Sequence, residues 1–176
     1  MPKQTSKFAV KKPPAPPRGG PKTGDKAPLF RLPATDGGMI GPARLKGKPY
    51  ILYFYPKDDT SGCTAQACGF RDALADFTKL GAAVIGVSKD GIASHGKFIA
   101  KHQLNFPLAS DETGEALERF GVWVEKSMYG RKYMGIERST FLVDGKGVIR
   151  AVWRKVSVPG HVEDVRKALQ ELTKAP

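Results

Sequence analysis

The chain has 176 residues, 40% of them hydrophobic, and a formal net charge of +12. That length predicts one domain with a sizeable core, and no apolar run approaches the ~20 residues of a membrane span. The two cysteines, Cys63 and Cys68, exclude a secreted disulfide scaffold and point to a reducing, cytoplasmic compartment.

Half of the charge sits in residues 1–22, where Lys3, Lys7, Lys11, Lys12, Arg18 and Lys22 stand with no acid among them. The same stretch holds prolines at 2, 13, 14, 16, 17 and 21. Such a composition cannot bury enough surface to fold, so residues 1–22 are read as a disordered basic tail and residues 23–176 as the domain. The tail could touch nucleic acid or another acidic partner, but a solubilising role accounts for it and nucleic acid is not expected as a partner. It lacks the apolar core of a secretory signal.

Folding is expected from about Gly24. Ala27 to Leu32 reads as a short strand, Asp36-Gly37-Gly38 as a turn and Met39-Ile40 as a return strand. Tyr50 to Tyr55 is an apolar run with the look of a buried strand, ended by Pro56, which cannot donate to a ladder. After the polar loop Lys57-Asp58-Asp59, Thr60 or Ser61 offers a helix N-cap. Apolar side chains then fall at 63, 67, 70, 74 and 77, one face of a helix over 62–80 that stops before Gly81. Ala83 to Ser88 is a second buried strand. Strand, helix and strand form a βαβ unit, so the two strands should be parallel.

A helix follows over 92–103. Its His95 and His102 read as ordinary surface or edge residues, and with no third ligand in view a zinc site is not expected. Phe106 to Leu108 is a short strand, and Asp111 or Thr113 caps a short helix over 115–120. Val122 to Tyr133 reads as a loop region whose Trp123, Met128 and Tyr129 pack at the core or its edge. Trp123 and Tyr129 are also candidates to flank a substrate entrance. Ser139 to Val143 and Val148 to Trp153 alternate around a four-residue hairpin turn, 144–147. Val162, Val165, Ala168, Leu169 and Leu172 mark the last helix. The order describes an α/β chain with a mixed sheet and helices on both faces.

Cys63 therefore sits in the first turn of a helix that follows a strand's C-terminal end. Unpaired backbone N–H groups and the positive end of the dipole both favour thiolate there. Helix N-termini and nearby cations lower a cysteine pKa from about 8.5 to roughly 3.5–7.5. A buried inert thiol is the alternative, and the Pro-, Thr-, Ser- and Gly-rich loop before Cys63 speaks for a polar pocket instead. Cys68 lies five residues on, a rise of ~7.5 Å in an intact helix, which puts the two Cα atoms roughly 8–9 Å apart. A disulfide needs less than ~7 Å, so the pair can bridge only if the first turns unwind. Spacing alone does not separate a transient partner from a chance core cysteine.

The pattern Pro56-x-x-x-Thr60-x-x-Cys63 resembles the active-site signature of peroxiredoxins. With Cys68 five residues further on, it resembles the bacterioferritin-comigratory-protein, or peroxiredoxin Q, subfamily. The likeness continues at Gly86 to Asp90, Met128 to Gly130, Met134 to Asp144 and Val152 to Val156. Ser61 stands where the subfamily usually has proline.

The resemblance implies a thioredoxin-like fold and a thiol-dependent peroxidase, serving antioxidant defence. Cys63 would attack the hydroperoxide and become sulfenic acid, and Cys68 would resolve it as an intramolecular disulfide. Thr60 and the backbone N–H groups of Gly62 and Cys63 would hold the peroxide. Arg138, whose alternative is a surface pair with Glu137, would stabilise thiolate and peroxide together. Pro56 would shield the sulfur and fix the loop. Thioredoxin or a similar dithiol would recycle the enzyme, as a monomer and without metal or organic cofactor. Two other readings are a general disulfide oxidoreductase, which would want Cys-x-x-Cys, and a nucleic-acid-binding protein acting through the tail.

Overall fold

The computed structural model describes residues 19–174. A small antiparallel pair, β1 (Leu32–Pro33) and β2 (Met39–Ile40), precedes the short helix α1 (Pro42–Leu45). Then come β3 (Tyr50–Phe54), α2 (Ser61–Lys79), β4 (Ala83–Ser88), α3 (Ile92–His102), β5 (Leu108–Ser110) and α4 (Glu115–Arg119). The chain ends with β6 (Trp123–Met128), β7 (Arg131–Ile136), β8 (Ser139–Val143), β9 (Ile149–Trp153) and α5 (His161–Lys174). The main sheet has the order β5-β4-β3-β8-β9. β3 pairs with β4 in parallel, as a βαβ unit requires, and with β8 antiparallel.

β3 is buried on both faces because its alternating side chains feed two cores. Tyr50, Leu52 and Phe54 join one cluster with Ile85, Phe120 and Phe141. Ile51, Tyr53 and Tyr55 join the other with Phe70, Phe77, Phe98 and Val165, from α2, α3 and α5. α1 and α4 contribute Leu45, Ala116 and Leu117 to the first cluster, so helices cover both faces. The α2 face is the one that the apolar spacing marks: Cys63, Ala67, Phe70 and Phe77 are buried. The helix ends where Gly81 takes φ +79, with Gly81 N–H donating to Thr78 O and Ala82 N–H to Phe77 O.

Several expectations are corrected. The stretch 122–133 is no loop but the hairpin β6–β7, turning at Tyr129 and Gly130, both at positive φ. Its strands are largely exposed, and their apolar residues do not alternate with polar ones as in a half-buried strand. Tyr129 is 99% exposed at the tip rather than packed, while Trp123 lies against the first core with Lys89 Nζ 4.6 Å from its ring centroid. The strand expected at 27–32 forms at Leu32–Pro33, and that expected at 106–108 forms at Leu108–Ser110. Of the basic tail only residues 19–22 are described, and the disorder assigned to 1–18 lies outside the described residues. Packing reaches back before Gly24: Gly20 and Pro21 are buried, and Arg154 Nη2 donates to Pro21 O at 3.4 Å. Among the described residues no helix is long and apolar enough to cross a membrane.

His161, the first residue of α5, is 4% exposed, pairs with Thr140 Oγ1 at 2.8 Å and lies edge-on to Phe70 and Trp153. Burial lowers its pKa from 6.5 to about 4, against the pull of Asp164 and with some help from Arg138. Between those values the unfolded chain binds the proton and the native state does not, so falling pH costs stability. The urea unfolding midpoint should decline from pH 6.5 to 4, and His161→Asn should flatten that decline. An unchanged slope in the variant would assign the effect to other groups.

Candidate active site

The register of β3 and β8 builds the site. Phe54 stands opposite Ser139, which brings Arg138 to the end of β3 where the loop to α2 begins. Thr60 is the N-cap residue of α2, and Thr64 N–H makes the helix bond to Thr60 O at 2.8 Å. The N–H groups of Ser61, Gly62 and Cys63 therefore precede the helical ladder and point their positive ends outward. The Thr60 hydroxyl does not cap the helix. It donates to Lys57 O at 2.9 Å, which leaves its oxygen lone pairs free to accept.

Cys63 is only 1% exposed and packs in the second core with Tyr53 and Ala67. The expected polar pocket is thus one-sided. Pro56, Thr60 and Ser61 are exposed, and the polar contact to the sulfur comes from across the sheet. Arg138 Nη2 lies 3.3 Å from Cys63 Sγ, while Nη1 donates to Gln66 Oε1 at 2.6 Å. The planar fork is held at both arms, so its charge has a fixed place beside the sulfur. The surface pair with Glu137 is not what forms: Glu137 turns to Arg154, 3.8 Å away. Arg138 lines a cleft of about 480 Å³ whose other wall includes Val124, Glu125 and Lys126 of β6. The hairpin supplies that wall through these residues; Trp123 and Tyr129, the expected entrance residues, are not among its lining.

Gln66 is missing from the sequence reading. It is fully buried, and its Nε2 has no partner among the described residues. Its place, one helical turn after Cys63 on the same face, was a signal available in the sequence. Cys68 is half-buried, and both cysteines are free thiols in an unbroken helix.

His95 also differs from expectation, being fully buried rather than a surface residue. Its Nδ1 lies 2.7 Å from Asp58 Oδ2 and its Nε2 2.9 Å from Ala109 O. Burial pushes the Asp58 carboxyl up, but hydrogen bonds from His95, Tyr55 and Ser94 outweigh it and hold the group below the usual range. Asp58, Asp90 and His95 bring three ligand-type atoms within 4.8 Å of one another, so the missing third ligand is in fact nearby. These atoms are already engaged: Asp90 Oδ2 accepts from Asp58 N–H at 2.8 Å and from Ser88 Oγ at 2.7 Å. The cluster reads as an anchor for the loop before Cys63. His102 is less buried and contacts Asp59 at 2.9 Å.

The pattern of the AhpC/TSA family matches residues 23–152. The chain belongs to the AhpC/TSA family. Peroxiredoxin Bcp of Bacillus subtilis is 46% identical over 150 residues, 85% of this chain and 96% of that protein. Peroxiredoxin Q of Xanthomonas campestris superposes with a TM-score of 0.79 at 41% identity, covering 82% of this chain and 91% of its own. Structures of the bacterioferritin comigratory protein of the same organism, which concern its alkyl peroxide reduction activity, give 0.78 at 40% identity over 82% and 92%. The chain is thus a Bcp-type peroxiredoxin, a thiol-dependent peroxidase with the thioredoxin-like fold. Neither the general disulfide oxidoreductase nor the nucleic-acid reading is favoured.

One constraint of this peroxiredoxin is testable at Gly62. A Cβ there would stand 3.2 Å from Arg138 Nη2, so the guanidinium must shift to admit it. Gly62→Ala should slow oxidation by peroxide by roughly 3- to 30-fold, since it displaces the positive charge that stands beside Cys63 Sγ. Stopped-flow mixing with hydrogen peroxide measures it; a rate equal to wild type would mean that the fork tolerates the methyl group.

Proposed function

We propose that Cys63 is the peroxidatic nucleophile, that Thr60 and Arg138 position and activate the hydroperoxide, and that Cys68 resolves the oxidised sulfur. The observation that carries this reading is the 3.3 Å contact between Arg138 Nη2 and Cys63 Sγ at the N-terminus of α2. The thiolate is the nucleophilic form of cysteine, and a fixed guanidinium with unpaired helical N–H groups surrounds it with positive charge. Sγ attacks the terminal oxygen of ROOH, the O–O bond breaks, and RO⁻ leaves to take up a proton as ROH. Arg138 meets the negative charge as it passes from sulfur to the leaving oxygen. Thr60, its own proton given to Lys57 O, accepts a hydrogen bond from the peroxide OH and orients it. Pro56 fixes the loop and takes no chemical part.

Cys63 is then a sulfenic acid. Cys68 sulfur attacks it, forming the disulfide and releasing water, once the first turns of α2 have unwound. Two thiol–disulfide exchanges with an external dithiol, thioredoxin or a similar protein, restore both thiols. Because both cysteines lie on one helix, the cycle closes within one chain, which supports a monomer. Two free thiols and no other cysteine support a reducing, cytoplasmic setting. Hydrogen peroxide and organic hydroperoxides are the proposed substrates.

Cys63→Ser should abolish peroxide consumption, whereas Cys68→Ser should consume about one equivalent per chain and stop as the sulfenic acid. Intact-mass spectrometry and a thioredoxin-coupled assay distinguish the two; sustained turnover by Cys63→Ser would overturn the assignment. Arg138→Met should reduce the second-order rate with peroxide by about 10²-fold or more, the usual cost of losing a preorganised charge. Oxidation of the wild type should also lower the helical circular dichroism signal, and identical spectra for the two redox states would rule out unwinding.

A further inference from the structure

The peroxidase chemistry leaves one buried group of titratable residues without a part. Asp58 is 9% exposed, Tyr55 1% and His95 0%. The Asp58 carboxylate accepts from Tyr55 OH at 2.5 Å and from Ser94 Oγ at 2.8 Å, and faces His95 Nδ1 at 2.7 Å. Ala109 O can only accept, so His95 Nε2 carries a hydrogen toward it at 2.9 Å. A proton also lies between Nδ1 and Oδ2, since a carboxylate oxygen and a bare ring nitrogen would repel at that distance. His95 thus ties the loop residue Asp58 to β5 through one imidazole. The backbone of Asp58 is held as well, its N–H donating to Asp90 Oδ2 at 2.8 Å.

Asp58 stands two positions before Thr60. Asp59, between them, has a left-handed φ of +58 and grips α3 from outside through Lys101 Nζ at 2.7 Å and His102 Nε2 at 2.9 Å. Those outer contacts are exposed and weakened by solvent. The inner contact is desolvated, so losing either partner removes a buried hydrogen bond, which is costly. The loop that carries Thr60 therefore keeps its shape mainly through Asp58.

We propose that His95, acting through Asp58, is a positioning residue for the peroxidase reaction, holding Thr60 where it orients the hydroperoxide toward Cys63. This rests on the roles proposed above for Cys63 and Thr60. Because His95 works through Thr60, its loss should harm the reaction with peroxide and spare a reaction of the same sulfur that needs no oriented peroxide.

The test uses the full chain and two reagents, hydrogen peroxide and iodoacetamide. His95→Phe should slow oxidation by peroxide about 10-fold or more, the scale of a misplaced orienting group, and leave alkylation of Cys63 by iodoacetamide unchanged. In a Thr60→Val background, His95→Phe should produce no further loss. Asp58→Ala should behave like His95→Phe, and Asp58→Asn should recover most of that loss by donating its amide to Nδ1. If His95→Phe does not fold, the two Asp58 variants carry the same comparison. Equal slowing of both reagents, losses that add to that of Thr60→Val, or an unaltered peroxide rate would each overturn the inference while leaving the peroxidase reading intact. A wild-type protein unreactive toward peroxide would overturn both.

Discussion

The guanidinium of Arg138 meets the sulfur of Cys63 across 75 residues of sequence. In the proposed mechanism the peroxidase reaction depends on that contact. A buried cysteine is commonly a packing residue. Here a fixed cation and the start of α2 meet at its sulfur. Antiparallel pairing of β3 with β8 sets where the arginine stands, Gln66 holds its second arm, and glycine at 62 leaves it room.

A second demand conflicts with the first. In the proposed reaction, attack on peroxide uses an ordered helix N-terminus, where the N–H groups of Gly62 and Cys63 act together. A bridge to Cys68, the proposed resolving residue, would need the same turns undone. The structure presents the ordered side of this cycle, with α2 continuous from Ser61 to Lys79 and both thiols free. The lower half of the helix is tied down by Phe70 and Phe77 in the core, whereas Ser61 and Ala65 near its start are exposed. The first turns also bury Cys63, Gln66 and Ala67, so the opening proposed for disulfide formation would expose side chains that the core now covers.

The loop before α2 stands between these states. Its inner face is locked by Asp58 to α3 and β5, and its outer face carries Pro56 and Thr60 into solvent. With that loop held, the unwinding proposed for α2 would begin after Thr60 rather than before it.

How much of this was legible in the sequence follows the range of each interaction. The period of apolar residues in α2, the unbroken apolar run of β3, the parallel βαβ pair and the turn after β8 are local patterns, written within a few residues of one another. Motif resemblance added the family and singled out Thr60 and Arg138. The β6–β7 hairpin escaped because its exposed strands have no apolar alternation to detect. His95 was misjudged because burial is a property of what packs over a residue, here Tyr55 and Asp58 from 37 to 40 positions away. The sequence by itself determined that a cysteine stands in the first turn of a helix at the end of a buried strand. Only the tertiary structure decided which charge faces that sulfur and which buried pair steadies its loop, because strand register and helix packing join residues that no local pattern connects.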